Sequence, residues 1–248
     1  KTNDFSWQTS LIYSHNRTEI TNLYNQGRVI DLVQGNGFAK QGYPARALFS
    51  IPFVGINEKG NPVCINEKDQ ATVGDLNFQE RDNTDYLIYE GSTDPIYNGS
   101  LGNTFNYKGF HLNLFLTYAF GNVVRLDPVF KAKYNDWTSM THDFKNRWMQ
   151  PGDENVTNVP GVVSRYEYEQ NRTLLSTAYN AYNYTSVRTA KGDFIRLKEI
   201  SLAYDFPHRW LENSPVNNIS LKLQATNLML LYADKKLNGQ APEFMNAG

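Results

Sequence analysis

Between Phe110 and Phe120 the chain alternates without a break. Phe110, Leu112, Leu114, Leu116, Tyr118 and Phe120 fall on one side, and His111, Asn113, Phe115, Thr117 and Ala119 on the other. Successive side chains of a strand point to opposite faces, so a period of two predicts a strand. One face of it is wholly apolar and ends in aromatics. A chain built on such strands must hide that face, either against a second sheet or in lipid.

The preceding segment repeats the pattern. Tyr97, Gly99, Leu101, Asn103, Phe105 and Tyr107 oppose Asn98, Ser100, Gly102, Thr104 and Asn106, and only Lys108-Gly109 separates the two runs. Two residues ending in Gly are a hairpin connection. Three further runs alternate: Phe5 to His15, Ile200 to Phe206, and Ile219 onward. The phase slips between Leu197 and Ile200, which predicts a bulge or the exit from a membrane, and Asn227 interrupts the apolar face of the last run. The membrane strands are therefore expected near 5–15, 97–107, 109–121, 193–206 and 218–231. Long connections (16–96, 122–192, 232–248) alternate with short ones, which places all long loops at one end of an up-and-down antiparallel sheet. Only one helix is expected, over Ser139 to Trp148, with Thr138 as N-cap and Pro151-Gly152 as stop.

Composition agrees. The chain has 14 Phe, 16 Tyr and 4 Trp, and 28 Asn, which suits strands joined by polar loops better than regular helices. With 24 basic and 25 acidic residues, it lacks the charge that phosphate neutralisation needs, so no nucleic-acid partner is expected. The single cysteine, Cys64, excludes an internal disulfide and a Cys-based zinc site. No apolar run reaches the ~18 residues of a membrane helix, but a barrel crosses in ~9–11 tilted residues. In such a barrel, aromatic girdles mark the two interfaces and the opposite face lines a hydrated lumen. Five strands cannot close a barrel, so either they belong to a larger one or the sheet is not a barrel. The fold class expected is all-β, an antiparallel transmembrane barrel segment with long extracellular loops. The alternative is a soluble or surface-tethered all-β glycan-binding module without transport.

Four ordered motifs carry a resemblance. The stretch from Gly91 to Phe110 (GSTDPIYNGSLGNTFNYKGF), the loop run Arg147-Trp148-Met149-Gln150-Pro151-Gly152-Asp153, the strand Asp193 to Leu202 (DFIRLKEISL), and Leu223-Gln224-Ala225-Thr226-Asn227-Leu228 resemble the late-barrel signature of SusC/RagA-type TonB-dependent transporters, the outer-membrane nutrient importers of Bacteroidetes. The resemblance covers essentially the whole chain and implies the C-terminal part of a 22-stranded barrel, strands 17 to 21. The plug, the TonB-recruiting box and the last strand would be carried elsewhere. It implies TonB-coupled import of oligosaccharides or oligopeptides across the bacterial outer membrane. The implied partners are the rest of the barrel and its plug, TonB, outer-membrane lipid, a SusD-like surface lipoprotein as lid, and a dimer of transporter–lid pairs.

Within that frame Phe110, Leu112, Leu114, Leu116, Tyr118 and Phe120 are expected to face lipid, and Asn113, Asp205, Lys222 and Gln224 the lumen. Tyr134, Trp137, Tyr166 and Tyr168 are candidate cargo contacts, because aromatic faces stack on sugar rings. Trp148 lies in a motif and reads as structural. No enzyme is expected. His15, His111, His142 and His208 fall on separate elements, His142-Asp143 reads as a solvated pair, and no nucleophile elbow or phosphate loop is present. Asp69, Asp75, Asp82 and Asp85 lack the spacing of a calcium loop. No cofactor or metal is expected.

Overall fold

The structure, a computed structural model, describes residues 4–35, 39–134, 137, 140–212 and 215–244. In chain order the elements are β1 (Phe5–His15), α1 (Val29–Gln34), β2 (Ala47–Ser50), β3 (Phe53–Ile56), β4 (Pro62–Ile65), β5 (Ala71–Thr72), β6 (Ile88–Ser92), β7 (Tyr97–Tyr107), β8 (Phe110–Phe120), β9 (Val123–Arg125), α2 (Arg165–Gln170), α3 (Arg172–Asn183), β10 (Thr189–Lys191), β11 (Phe194–Asp205) and β12 (Ser220–Ala233).

The five long strands form one antiparallel sheet in the order β1-β7-β8-β11-β12. Four of the five are 11 or 12 residues and the fifth is 14. The two-residue hairpin is as expected: Tyr107 pairs with Phe110, and Lys108 and Gly109 both take positive φ (45° and 86°), the backbone of a type I′ turn. The phase slip is a bulge at Lys198. Leu197 and Glu199 pair with neighbouring residues of β8, Leu116 and Phe115, whereas on β12 they pair with Met229 and Thr226. Asn227 fills the excess on β12 in the left-handed region, with φ 52°.

Directly opposed residues share a face, so the register aligns the apolar sets across the sheet. Trp7, Phe105 and Leu112 form one row with Leu202 and Leu223, and Leu11, Leu101, Leu116 and Leu197 form another. Phe110, Leu112, Leu114, Leu116, Tyr118 and Phe120 therefore stand together on this face. The other face carries a chain of side-chain hydrogen bonds. Thr104 Oγ1 donates to Asn113 Oδ1 (2.7 Å), Asn113 Nδ2 donates to Ser201 Oγ (3.2 Å), and Asn106 Nδ2 donates to Ser6 Oγ (3.0 Å). His111 bridges Asn106 (2.5 Å) and Asp205 (2.8 Å). Each of these polar groups finds a partner on the neighbouring strand.

The long connections are not bare loops. The first holds α1, the pair β2-β6 and the sheet β3-β4-β5; the second holds α2 and α3, and β9 pairs with β10. The single helix expected over Ser139–Trp148 is corrected. Thr138 and Ser139 lie outside the described residues, and the described remainder makes only a 3-10 turn, His142–Asn146. Arg147 returns to extended backbone (φ −64°, ψ 156°), which lets Trp148 reach across to the first loop. The true helix, α3, shows Leu175, Ala178, Tyr179 and Tyr182 at helical spacing, and all four are buried.

Candidate functional site

The loop layer is the candidate site, because it gathers at one end of the sheet nearly every deeply buried side chain. Its main core joins Val29, Leu32 and Val33 of α1 to Phe49, Ile51 and Cys64 of the small strands and to Ala181 and Tyr184 of the second loop. Burial pushes the Cys64 thiol up to about 12, so it stays protonated and unreactive while the loops are folded. A second cluster packs Leu175, Ala178 and Tyr179 of α3 against Ala132 and Val163.

A buried arginine fastens the two loops. Arg125, at the end of β9, donates to the carbonyls of Thr185 (2.8 Å), Val33 (3.1 Å) and Phe49 (2.6 Å) and to Ser50 Oγ (3.1 Å). Burial lowers its pKa to about 10, which still leaves it charged at neutral pH. It supplies a donor to the Val33 and Phe49 carbonyls, while Thr185 O also accepts from Arg188 N–H (3.0 Å). Arg188 plays a parallel part: it donates to Asp127 O (3.0 Å), sits over the Phe130 ring (4.9 Å) and pairs with Asp143 at 3.7 Å. Asp143 is thus an anchor for Arg188 and not the solvated partner of His142, which faces Lys145 (2.9 Å).

Trp148 is a latch, in keeping with a structural reading. Its backbone N–H donates to Val159 O (2.9 Å), and its indole N–H donates to Glu154 (3.0 Å), whose carboxyl is held below its usual range by that bond. The ring lies over Gly60, where an added Cβ would stand 2.4 Å from it, and Gly60 itself needs φ 79°. Gly161 N–H closes the contact by donating to Gly60 O (2.8 Å). The sequence run containing Trp148 therefore clamps the β3-β4 turn of the first loop to the second.

The candidate cargo aromatics separate. Trp137 (92% exposed) and Tyr166 (78% exposed) stand out from the surface. Tyr134 is half-buried, packs on Phe144 (5.3 Å between centroids) and accepts from Lys131 N–H (2.9 Å); burial raises its pKa. Tyr168 borders a cleft of about 330 Å³ between Pro128–Lys133 and α3. Its hydroxyl meets Ser176 Oγ at 3.3 Å, and that bond, followed by Arg172 and Lys133, lowers its pKa. The four do not converge on one pocket. Residue-type reasoning missed Arg125, Arg188 and Asn183, because only the fold brings their distant carbonyl partners together. It also missed Lys131 and Lys133, for which the alternation from Phe130 to Lys133 was the available signal. Of the acidic residues weighed for calcium, Asp75 pairs with Lys68 (3.9 Å) and Asp85 with Lys40 (2.7 Å). Among the described residues no cluster of His, Cys, Asp or Glu could hold a metal ion.

A five-stranded antiparallel sheet with apolar and polar faces, capped at one end by folded loops, defines the class: a segment of a transmembrane β-barrel. No family model matches the chain. Among curated proteins, TonB-dependent receptor P39 of Formosa agariphila is 26% identical over 187 residues, covering 71% of this chain and 16% of that protein. TonB-dependent receptor P3 of the same organism is 22% identical, covering 91% of this chain and 22% of its own length. Among solved structures, the RagAB peptide transporter superposes over 100% of this chain and 25% of its own, with TM-score 0.67 and 18% identity. The RagAB peptide importer in its closed-closed state gives 0.63 over 94% of this chain. The chain thus spans less than a quarter of the length of these curated relatives and a quarter of the solved one. The resemblance read from the four motifs holds: the chain is similar to the C-terminal part of a SusC/RagA-type TonB-dependent transporter.

Proposed function

We propose that this chain forms part of the wall and extracellular rim of a TonB-dependent outer-membrane importer of oligosaccharides or oligopeptides. The observation that carries the reading is the division of labour in one sheet. Its apolar face leaves Trp7 and Leu11 more than 60% exposed, its other face is a hydrogen-bonded polar lining, and a folded loop layer caps one end. An apolar face that large, left open in water, would aggregate; in a bilayer it is the anchoring surface. In this reading Phe110, Leu112, Leu114, Leu116, Tyr118 and Phe120 meet lipid, Asn113, Asp205, Lys222 and Gln224 meet the lumen and its plug, and 16–96, 122–192 and 232–248 face outward. The loop layer then meets a SusD-like lid lipoprotein and the cargo, and TonB supplies energy from the inner membrane. Likeness to a peptide transporter keeps oligopeptides among the two cargo classes to try.

The test is uptake of labelled oligopeptides and oligosaccharides by cells carrying the full-length transporter and its lid, with and without TonB. The expected result is uptake of one class that stops when TonB is deleted. Uptake that continues without TonB, or no uptake of either class, would sink the proposal.

A further inference from the structure

The cleft beside Tyr168 has a chemistry that the barrel reading does not use. Its floor is Phe130, Ala132 and Tyr179, all buried. Its rim carries Lys131, Lys133, Asn180 and the Tyr168–Ser176 hydroxyl pair. No carboxylate lines it, and neither lysine makes an ion pair among the described residues. Two cations on one cleft with no carboxylate in its described lining give it a local positive charge.

The segment that carries the lysines is also anchored. Phe130 and Ala132 are buried while Lys131 and Lys133 are exposed, and the chain bends at Ala132 and Lys133. Its backbone is pinned at Phe130 and Lys131. Asn183, 3% exposed on α3, accepts from Phe130 N–H (3.1 Å) and donates to Phe130 O (2.8 Å), and Lys131 N–H donates to Tyr134 Oη. Lys133 Nζ lies 5.7 Å from the Tyr168 ring centroid, so a flat ring and a cation are presented side by side. A site assembled before binding loses less entropy when the ligand arrives.

We propose that this cleft is a binding subsite for an acidic oligosaccharide, with Lys131 and Lys133 taking the carboxylates of uronate residues. Tyr168 offers the ring face on which a sugar packs. Asn180 and Ser176 supply donors and acceptors for hydroxyl groups. A peptide carboxylate shares the charge but not the need for a ring face flanked by amide and hydroxyl, so the saccharide is the class argued for. The proposal deepens the importer reading and rests on it for the source of the ligand, but binding can be measured without transport.

The test is calorimetry on the full-length transporter in detergent, titrated with oligogalacturonate and oligomannuronate, a neutral galacto-oligosaccharide, and oligoglutamate. The variants are Lys131→Gln/Lys133→Gln and Tyr168→Ala. Both lysines are exposed, so heat-modifiable mobility on a gel should be unchanged in the double variant. At low salt at least one uronate oligomer should bind, about tenfold weaker in the double variant and weaker again in 0.5 M salt, since exposed charges are screened. Tyr168→Ala should weaken the uronate oligomer and leave oligoglutamate alone. No binding of either uronate oligomer, equal binding by the double variant, or oligoglutamate binding with the same lysine dependence would each overturn the proposal. Loss of TonB-dependent uptake with uronate binding intact would overturn the importer reading and leave this subsite standing.

Discussion

The sheet and the loop layer are stabilised in opposite ways. None of the largest fully buried side chains (Tyr179, Phe49, Phe130, Leu32, Leu48 and their neighbours) belongs to the five long strands, whereas Leu11, Leu221 and Leu223 of the sheet are more than half exposed. The sheet is held by backbone ladders and side-chain hydrogen bonds between strands, and it leaves its apolar residues exposed. The loop layer does what a water-soluble domain does: it buries its apolar residues and spends charged groups on the backbone carbonyls trapped inside. In the importer reading the difference follows from the solvent each region meets, since lipid removes the drive to bury apolar surface and water restores it.

The sharpest way to break that comparison is through Arg125. Arg125→Met should remove a buried charge-assisted anchor shared by the Val33, Phe49 and Thr185 carbonyls, costing about 3–5 kcal/mol of loop-layer stability. The sheet should be untouched. Alkylation of Cys64 reads the first effect, because its thiol reacts only when the loop core opens, and heat-modifiable mobility reads the second. If both change together, the two regions are one cooperative unit and the comparison fails.

Next in size, Leu114→Arg at mid-strand should cost ~2–4 kcal/mol of barrel stability in lipid, and Asn113→Arg, its neighbour on the other face, much less. Unfolding in vesicles by urea measures both, and equal losses would contradict the facing of the sheet. Within the loop layer, Trp148→Ala should cost about 2–3 kcal/mol, as loss of a half-buried aromatic and its indole hydrogen bond. Gly60→Ala should be nearly as harmful in the wild type and much milder in the Trp148→Ala background, because part of its cost is the collision with that ring. Additive losses would remove the latch.

The smallest effect concerns pH. Asp31 is held below its usual carboxylate range by hydrogen bonds from Arg28, at the start of α1. A depressed folded pKa gives stability that is complete above the unfolded value of about 3.9 and is lost as pH falls through the folded one. The protection of the Leu32 and Val33 amides, relative to their intrinsic exchange rates, should therefore fall in that acid range, and Asp31→Asn should flatten the dependence. A steep acid response that survives Asp31→Asn would place the switch elsewhere.

Much of the sheet was legible before folding. Alternation marked β1, β7 and β8 along their whole length and the parts of β11 and β12 beyond Ile200 and Ile219, the Lys108-Gly109 pair marked the hairpin, and the slip near Leu197 marked the bulge. These are local signals, because strand period and turn chemistry act over a few residues. The loops were hardly legible. The period of α3 was present in Leu175, Ala178, Tyr179 and Tyr182 but was hidden among the polar residues of a long connection, and the Ser139–Trp148 helix was a capping signal without a packing face to support it. Of the candidate site, Trp148 was placed by its motif, while Tyr134 and Tyr168 turned out to have different neighbours and different roles.

The sequence by itself determined that this chain makes antiparallel strands with one apolar and one polar face, since side-chain direction in a strand is fixed by geometry alone. It also carried, in four ordered motifs, the likeness to TonB-dependent transporters. Tertiary structure alone decided that the connections fold into a layer with its own core. It also decided that Arg125 ties Val33, Phe49 and Thr185 together and that Lys131 and Lys133 share a cleft with Tyr168. Those contacts join residues tens of positions apart, and no local preference encodes them; they exist only once burial has made an unpaired carbonyl or charge too costly to leave alone.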